Sequence, residues 1–321
     1  MITVIFATFN RSSLLPDVLS SFASLRSPRG GWRLVVADNG STDRTGEVLG
    51  SFRDRIPLEY IFVDQPGKNS ALNAALDLAE GDLIVFTDDD VFPRSDWLLQ
   101  LEAAAAAQPS YSLFGGAVVP RWAEPPRDWI LRWVPQGPTF TMTDPATADG
   151  PVGPDRVFGP NMAVRAAVFE SGLRFDSSIG PRGPSYAMGS ETEFLMRAVA
   201  KGFRAWFVRD AVVEHFVAKA QMQEQWILQR AVRYGRGQYR LLGAAHVSGA
   251  KTVMGVPRYL FRQFASALAQ LTWARVARDA QRTFELRWTL NYVRGQVLEA
   301  RQLRDPSEIG MPRRESITDG R

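Results

Sequence analysis

Four consecutive apolar residues, Leu83-Ile84-Val85-Phe86, run through Thr87 into three aspartates, Asp88-Asp89-Asp90. This junction constrains the fold more than any other stretch. A short uninterrupted apolar run reads as a strand buried on both faces. Side chains alternate along a strand, so Asp88 and Asp90 are expected on one side and Asp89 on the other. Packed carboxylates repel and resist ionisation, and a divalent cation removes that penalty. Mg²⁺ typically takes one or two protein carboxylates and completes its shell with water and substrate phosphates. A strand that ends in Asp-x-Asp therefore suits a metal–diphosphate. The plainer alternative is a solvated acidic turn.

The same architecture repeats upstream. Residues 2–8 read as a strand, and Leu14, Leu15, Val18, Leu19 and Phe22 follow at helical spacing. A second apolar strand, 34–37, ends at Asp38, and Ser41-Thr42 are good N-cap residues for a helix beginning there. A third strand is expected over 58–63 and a helix over 69–79. This alternation predicts a largely parallel sheet with helices on both faces. Ligands bind such sheets beyond the carboxyl ends of the strands, where Thr8-Phe9-Asn10, Asp38 and Asp88 to Asp90 all fall. A helix over 96–107 and a strand over 113–119 come next. Residues 120–158 are irregular and hold Trp122, Trp129 and Trp133; their rings suit sugar or lipid contact and equally a hydrophobic plug. A strand over 158–165, a glycine-rich segment over 177–189, a helix opened by Ser190-Glu191-Thr192-Glu193 and short strands over 204–208 and 211–214 lead to His215.

Composition bounds the chemistry. The 321 residues are 45% hydrophobic and 22% charged, with no cysteine and two histidines. Disulfides and thiolate chemistry are thereby excluded, and a zinc site of the usual kind is not expected. No run of about eighteen apolar residues predicts a membrane span. The N-terminus enters a strand at once without a signal-peptide pattern, so a cytoplasmic location is expected. Charge is uneven: residues 1–200 hold 17 Lys/Arg against 24 Asp/Glu, and residues 201–321 hold 21 against 10. The basic part reads as helices over 221–243, 257–277 and 280–303, and 305–321 as a disordered tail. The organisation expected is a catalytic domain over 1–220, a basic helical extension over 221–304, and that tail. The extension is expected to meet something anionic, a membrane surface, nucleic acid or a phosphorylated substrate, or else to be a helical bracket on the catalytic domain with solvated arginines; of these a membrane rather than nucleic acid is the partner expected.

Several motifs together resemble the inverting family 2 glycosyltransferases of the GT-A fold. They are Ala7-Thr8-Phe9-Asn10-Arg11 with Leu14-Leu15; Val36-Ala37-Asp38-Asn39-Gly40-Ser41-Thr42-Asp43; Ala71-Leu72-Asn73 with Gly81-Asp82; Phe86-Thr87-Asp88-Asp89-Asp90; Gly159-x-Asn161-Met162-Ala163-Val164-Arg165 with Phe175-Asp176; Gly189-Ser190-Glu191-Thr192-Glu193 with Arg197; and Val213-x-His215. They occur in family order across residues 2–217. The resemblance implies transfer of a sugar from a nucleotide diphosphate to an acceptor hydroxyl, with Mg²⁺ or Mn²⁺. It places Asp90, with Asp88, at the metal, and His215 at the metal or diphosphate; a structural His at a strand end is the alternative. Imidazole suits Mn²⁺ better than Mg²⁺. The resemblance also puts Thr8, Asn10 and Asp38 at the nucleoside, with Asp38 able to accept from uracil N3–H or else to cap the turn at Asn39-Gly40. Lys68, Asp88, Asp89 and Asn161 are expected on the donor side. Gly67-Lys68 lacks the upstream glycines of a phosphate loop; Asp43 can cap the next helix.

The acceptor hydroxyl needs a general base. The family pattern there is Glu-Asp, and this chain departs from it, with Ser190 in the Glu position and Glu191 in the Asp position. Ser190-x-x-Glu193 reads as a capping box that would turn Glu193 onto the backbone, which leaves Glu191 as base and Glu193 as the alternative. A helix N-terminus favours the ionised carboxylate and weakens such a base. Gln225-Trp226 with Gln229-Arg230 does not match the Gln-x-x-Arg-Trp motif of processive polymerases, so single addition to a glycan or lipid-linked acceptor is expected. The competing readings are a nucleotide-sugar-binding protein without catalysis, and a nucleotidyltransferase, which would need a Gly-rich, Arg-containing loop after the first strand.

Overall fold

The computed structural model describes residues 1–181, 186–247 and 250–303. The tail expected to be disordered and residues 182–185 of the glycine-rich segment lie outside the described residues. The chain divides into two compact units, Met1–Arg230 and Ala231–Arg321. The division falls inside a helix rather than at residue 220.

In the first unit the elements run β1 (Ile2–Thr8), α1 (Leu15–Ala23), β2 (Trp32–Asp38), α2 (Thr45–Ser51), β3 (Leu58–Phe62), α3 (Lys68–Leu76), β4 (Leu83–Phe86), β5 (Val91–Pro93), α4 (Trp97–Ala107), β6 (Leu113–Trp122), α5 (Asp128–Trp133), α6 (Gln136–Phe140), β7 (Gly150–Val152), β8 (Met162–Arg165), α7 (Ala166–Glu170), α8 (Ser190–Ala200) and β9 (Ala205–Val217). One large sheet has the order β3-β2-β1-β4-β8-β6-β9-β5, with β7 also on β9. It is parallel across β3, β2, β1 and β4. β8 is antiparallel to both β4 and β6, and β6 is parallel to β9.

The apolar runs are uninterrupted because both faces are covered. Val4, Phe6, Leu34, Val36 and Val85 pack with Leu15, Val18, Leu19 and Phe22 of α1. The alternate residues Ile5, Val35, Ile84 and Phe86 pack with Ala71, Leu72 and Ala75 of α3 and Phe194, Leu195 and Ala198 of α8. Full burial of each larger side chain contributes about 1.5–3 kcal/mol. The carboxyl ends of β1, β2 and β4 therefore lie side by side at one edge of a rigid sheet.

Several elements differ from the sequence pattern: residues 120–158, expected to be irregular, hold the end of β6, α5, α6 and β7, and β5 was not expected. The helix expected from Ser41-Thr42 starts at Thr45. The Asn10 Oδ1 accepts the N–H of Thr42 at 2.8 Å and of Asp43 at 3.3 Å, which ties those residues to the end of β1. Asp43 then accepts from the Thr45 N–H. The two closing strands are one strand, β9. Gly116 pairs with Val208 and Ala117 with Val212, so the intervening residues bulge where Arg209-Asp210 interrupts the apolar run.

The second unit contains the later turns of α9 (Glu224–Val247), the hairpin β10 (Thr252–Val253) and β11 (Val256–Pro257), α10 (Arg258–Val276) and α11 (Ala280–Gln302). α9 and α11 approach closely at Gly235 and Gly295. A Cβ on either would strike the backbone carbonyl of the facing helix, Tyr292 and Val232 respectively. The approach encloses the Glu299 carboxylate, which binds Arg236 at 2.6 Å and also Arg240. α10 packs Ala267, Leu271 and Ala274 against Leu286 of α11. Among the described residues no helix is long and apolar enough to cross a membrane.

Candidate active site

The aspartate triplet lies in the turn between β4 and β5, past the end of the strand. Asp88 accepts from Lys68 Nζ at 2.6 Å. The Asp90 Oδ1 lies 3.5 Å from His215 Nε2, and its Oδ2 lies 3.6 Å from Arg11. Asp89 turns the other way, accepting from the Thr8 hydroxyl at 2.8 Å and from Arg11 Nε at 3.2 Å. Thr8 and Asp89 thus bond each other, and Asp89 holds Arg11.

Lys68 is the first residue of α3, and Asn39 sets it there. The Asn39 amide donates to the carbonyls of Val63 and Gln65, and its oxygen accepts from the Gly67 N–H. The ammonium then bridges two elements, donating to Asp88 and, at 2.8 Å, to Glu191 Oε1. Glu191 sits in the first turn of α8 and accepts from Ser190 Oγ at 2.8 Å. Gly159 forms its backing: a Cβ there would lie 2.7 Å from the Glu191 carboxyl carbon. The expected capping box is not formed. Ser190 bonds Glu191, and Glu193 makes two bonds to Arg197, at 2.5 and 2.8 Å. Glu193 is committed to that pair, so Glu191 is the carboxylate at the Lys68–Asp88 cluster.

The Nδ1 of His215 faces the Phe140 carbonyl at 2.7 Å, so it carries the proton and Nε2 points to Asp90. Phe140 is wedged between Trp122 and Trp226, with ring centroids at 5.3 and 6.2 Å. This part of the tryptophan-rich segment is a plug that orients the imidazole.

Burial alone would lower the Lys68 ammonium, but Asp88 and Glu191 hold it above the usual lysine range. Burial would raise Glu191, but Lys68 and the Ser190 hydroxyl bring it down to about 2. Burial and the neighbouring Asp90 push Asp89 up, against Arg11. Burial would also raise Asp90, yet His215 and Arg11 hold it below the usual carboxylate range. Burial opposes a charged His215, and Asp90 outweighs it, leaving the imidazole raised.

Asp38 accepts the Ser41 N–H on Oδ1 at 2.9 Å and so caps the turn after β2. Asn10, at φ 51°, holds the same loop. Asn161 corrects the sequence expectation. It is 0% exposed, it accepts from Trp97 Nε1, and its amide donates to the carbonyls of Ala117 and Ala211 beside the β6–β9 register shift. Its polar atoms are taken up within the core, where it holds the sheet together. Arg11 was legible only as a motif residue; its reach to both Asp89 and Asp90 depends on the turn after β1.

The family model for glycosyl transferase family 2 matches residues 3–169, more than half of the chain. The succinoglycan biosynthesis protein ExoM of Rhizobium meliloti is 27% identical over 244 residues, covering 73% of this chain and 73% of ExoM. Among solved structures, S. aureus TarS 1–349 in complex with UDP-GlcNAc aligns with TM-score 0.54 and 17% identity, over 89% of this chain and 90% of that one. The mannosyltransferase PcManGT from Pyrobaculum calidifontis, in complex with GDP-Man and Mn²⁺, aligns with TM-score 0.58 and 19% identity, over 92% and 86%. The sheet and these matches agree: the chain is a glycosyltransferase of GT-A fold and belongs to glycosyl transferase family 2.

Proposed function

We propose that this enzyme transfers one sugar, with inversion, from a nucleoside-diphosphate sugar to a hydroxyl of a glycan or lipid-linked acceptor at the cytoplasmic face of a membrane. The product belongs to cell-surface glycan or glycolipid assembly. The observation that carries the reading is the Lys68 bridge, which joins the donor-side carboxylate Asp88 to the acceptor-side carboxylate Glu191.

Glu191 takes the proton of the acceptor hydroxyl. The acceptor oxygen forms its bond to the anomeric carbon as the bond from that carbon to the diphosphate breaks, and the nucleoside diphosphate leaves. One displacement inverts the centre. While Lys68 is paired with Glu191, that carboxylate holds protons weakly. A diphosphate entering beside Asp88 competes for the ammonium. As the Lys68–Glu191 bond weakens, burial raises the proton affinity of Glu191, so donor occupancy arms the base.

Asp90, His215 and Asp88 would hold a Mg²⁺ or Mn²⁺ ion. Among the described residues no three His, Cys, Asp or Glu form a ready metal cage. The residues fit a half-site that substrate completes. The backbone carbonyl of Phe140 fixes the His215 tautomer so that Nε2 faces outward, as metal-binding imidazoles require. When bound, the ion stabilises the charge that develops on the leaving diphosphate. Asp38 offers its second oxygen to the N3–H of uracil, which supports a UDP-sugar, with Asn10 shaping the same loop.

The test is calorimetric titration of UDP and of GDP into the protein, with Mn²⁺ and again with EDTA. Binding of UDP over GDP, lost in EDTA and in Asp90→Ala, is expected. Unchanged affinity in EDTA would remove the metal, and preference for GDP would remove the Asp38 reading.

A further inference from the structure

Within the second unit, α10 keeps one stripe inside: Leu260, Ala267, Leu271 and Ala274 are buried. The remaining surface of the helix is unusual. Phe261, Phe264 and Leu268 are exposed, and Trp273 and Val276 are 73% and 72% exposed. At about 3.6 residues per turn they spread over roughly half the circumference. Isolated surface hydrophobics need no explanation, but a contiguous set does.

The charge along that set is mainly basic. From Lys251 to Arg278 the chain has five basic residues and no acidic one, and Asp279, the exposed cap of α11, follows at once. On the helical projection Arg258 and Arg262 fall beside Val276 and Trp273, and Arg275 falls between Phe264 and Leu268, so the arginines interleave with the apolar set. All three arginines are exposed. The acidic residue Glu285 of α11 pairs with Arg282, which also reaches Gln270, on the polar side of α10.

The hairpin that leads into α10 adds a separate observation. Its two-residue turn, Met254-Gly255, has φ of 52° and 78°. Such a turn strongly prefers Asn or Gly at its first position. Met there carries backbone strain, and its side chain is 85% exposed. A long apolar side chain held outward at a strained turn serves neither folding nor solubility.

We propose that α10 and the Met254 turn form a docking face for an anionic lipid bilayer, with the apolar side chains entering the acyl boundary and the arginines reaching the headgroups. Arginines set among apolar side chains can lay their stems along the acyl boundary while their heads reach anionic headgroups. A second copy of the same face would bring arginines against arginines. Residues 304–321 hold four basic and four acidic side chains, so their net charge does not complement the face. The face shares with the functional reading only the membrane surface. Vesicle binding is measured without donor or acceptor, so its failure and the failure of that reading are distinguishable.

The full-length protein is sedimented with vesicles of phosphatidylcholine alone and with phosphatidylglycerol at one third, at low and high salt. Binding to the anionic vesicles alone, weakened by salt, is expected. Arg258→Gln/Arg262→Gln/Arg275→Gln should lower partitioning by roughly a hundredfold. Trp273→Ser/Val276→Ser should lower it as well. Met254→Asn is the discriminating variant: it relieves the turn, so thermal stability should hold or rise while vesicle binding falls. The proposal is overturned if the wild type ignores anionic vesicles at low salt, or if Met254→Asn and Trp273→Ser/Val276→Ser bind like the wild type. It is equally overturned if light scattering shows a dimer that Trp273→Ser/Val276→Ser dissolves and vesicles do not compete for, which would make the face a contact between copies.

Discussion

Replacing Lys68 by Met deletes the ammonium between Asp88 and Glu191 at nearly constant length. At 2.8 Å and an effective dielectric constant near 20, the Lys68–Glu191 attraction is about 6 kcal/mol before burial is counted. Burial offsets part of it. The net follows from Glu191: Lys68 and its neighbours hold it, against burial, at about 2 instead of 4.5. Without the cation, burial drives the carboxylate above 4.5, a change of at least about 3 kcal/mol. A domain of this size should then lose roughly 6–12 °C in Tm at pH 7. The pH dependence identifies the cause. A lowered folded pKa contributes stability above the unfolded value and loses it as pH falls through the folded value. The gap between wild type and Lys68→Met should therefore be full only above the raised value that Glu191 takes in the variant, and close as pH falls through 4.5 toward about 2. Urea unfolding at pH 7, 4.5 and 3 measures it. A gap that stays constant from pH 7 to 3 would refute the electrostatic account and make Lys68 a packing residue.

Glu191→Gln should lower transfer by about 10²–10⁴ without weakening calorimetric UDP affinity, which should rise because Lys68 is no longer shared with Glu191. Gly159→Ala places a Cβ 2.7 Å from the Glu191 carboxyl carbon; displacement of the base should lower kcat about a hundredfold without loss of UDP affinity. Glu299→Ala leaves the buried Arg236 and the half-buried Arg240 without their carboxylate and should cost about 3–5 kcal/mol, read as a lower urea midpoint.

The parallel half of the sheet was legible because its strands are covered on both faces, so Val4, Val36 and Val85 belong to unbroken apolar runs. The aspartate triplet was legible as the polar end of β4, but its division comes from the β4–β5 turn rather than from strand alternation: Asp89 goes to Thr8 and Arg11, Asp88 to Lys68 and Asp90 to His215. What failed depended on side chains reaching across the fold. Ser41-Thr42 has the chemistry of a helix cap, but Asn10, thirty residues earlier in the chain, takes those N–H groups first. Ser190-x-x-Glu193 has capping-box spacing, but Arg197 one turn on offers Glu193 a charged partner. Asn161 falls within a ligand-like motif, yet the register shift between β6 and β9 exposes two carbonyls that only a core amide satisfies. The Lys68 bridge joins residues 123 positions apart, and no local pattern announces such a pair.

The central claim is that Glu191 and the Asp88–Asp90 edge act together on a nucleotide-linked sugar. The most direct measurement is release of nucleoside diphosphate by the purified full-length chain, with Mn²⁺, from UDP-glucose, UDP-GlcNAc and GDP-mannose in turn, with Asp90→Ala and Glu191→Gln run alongside. The account predicts release from a UDP-sugar, abolished in Asp90→Ala and strongly reduced in Glu191→Gln, while Glu193→Gln retains it. Release that survives Asp90→Ala, or that fails in Glu193→Gln and not in Glu191→Gln, would contradict it.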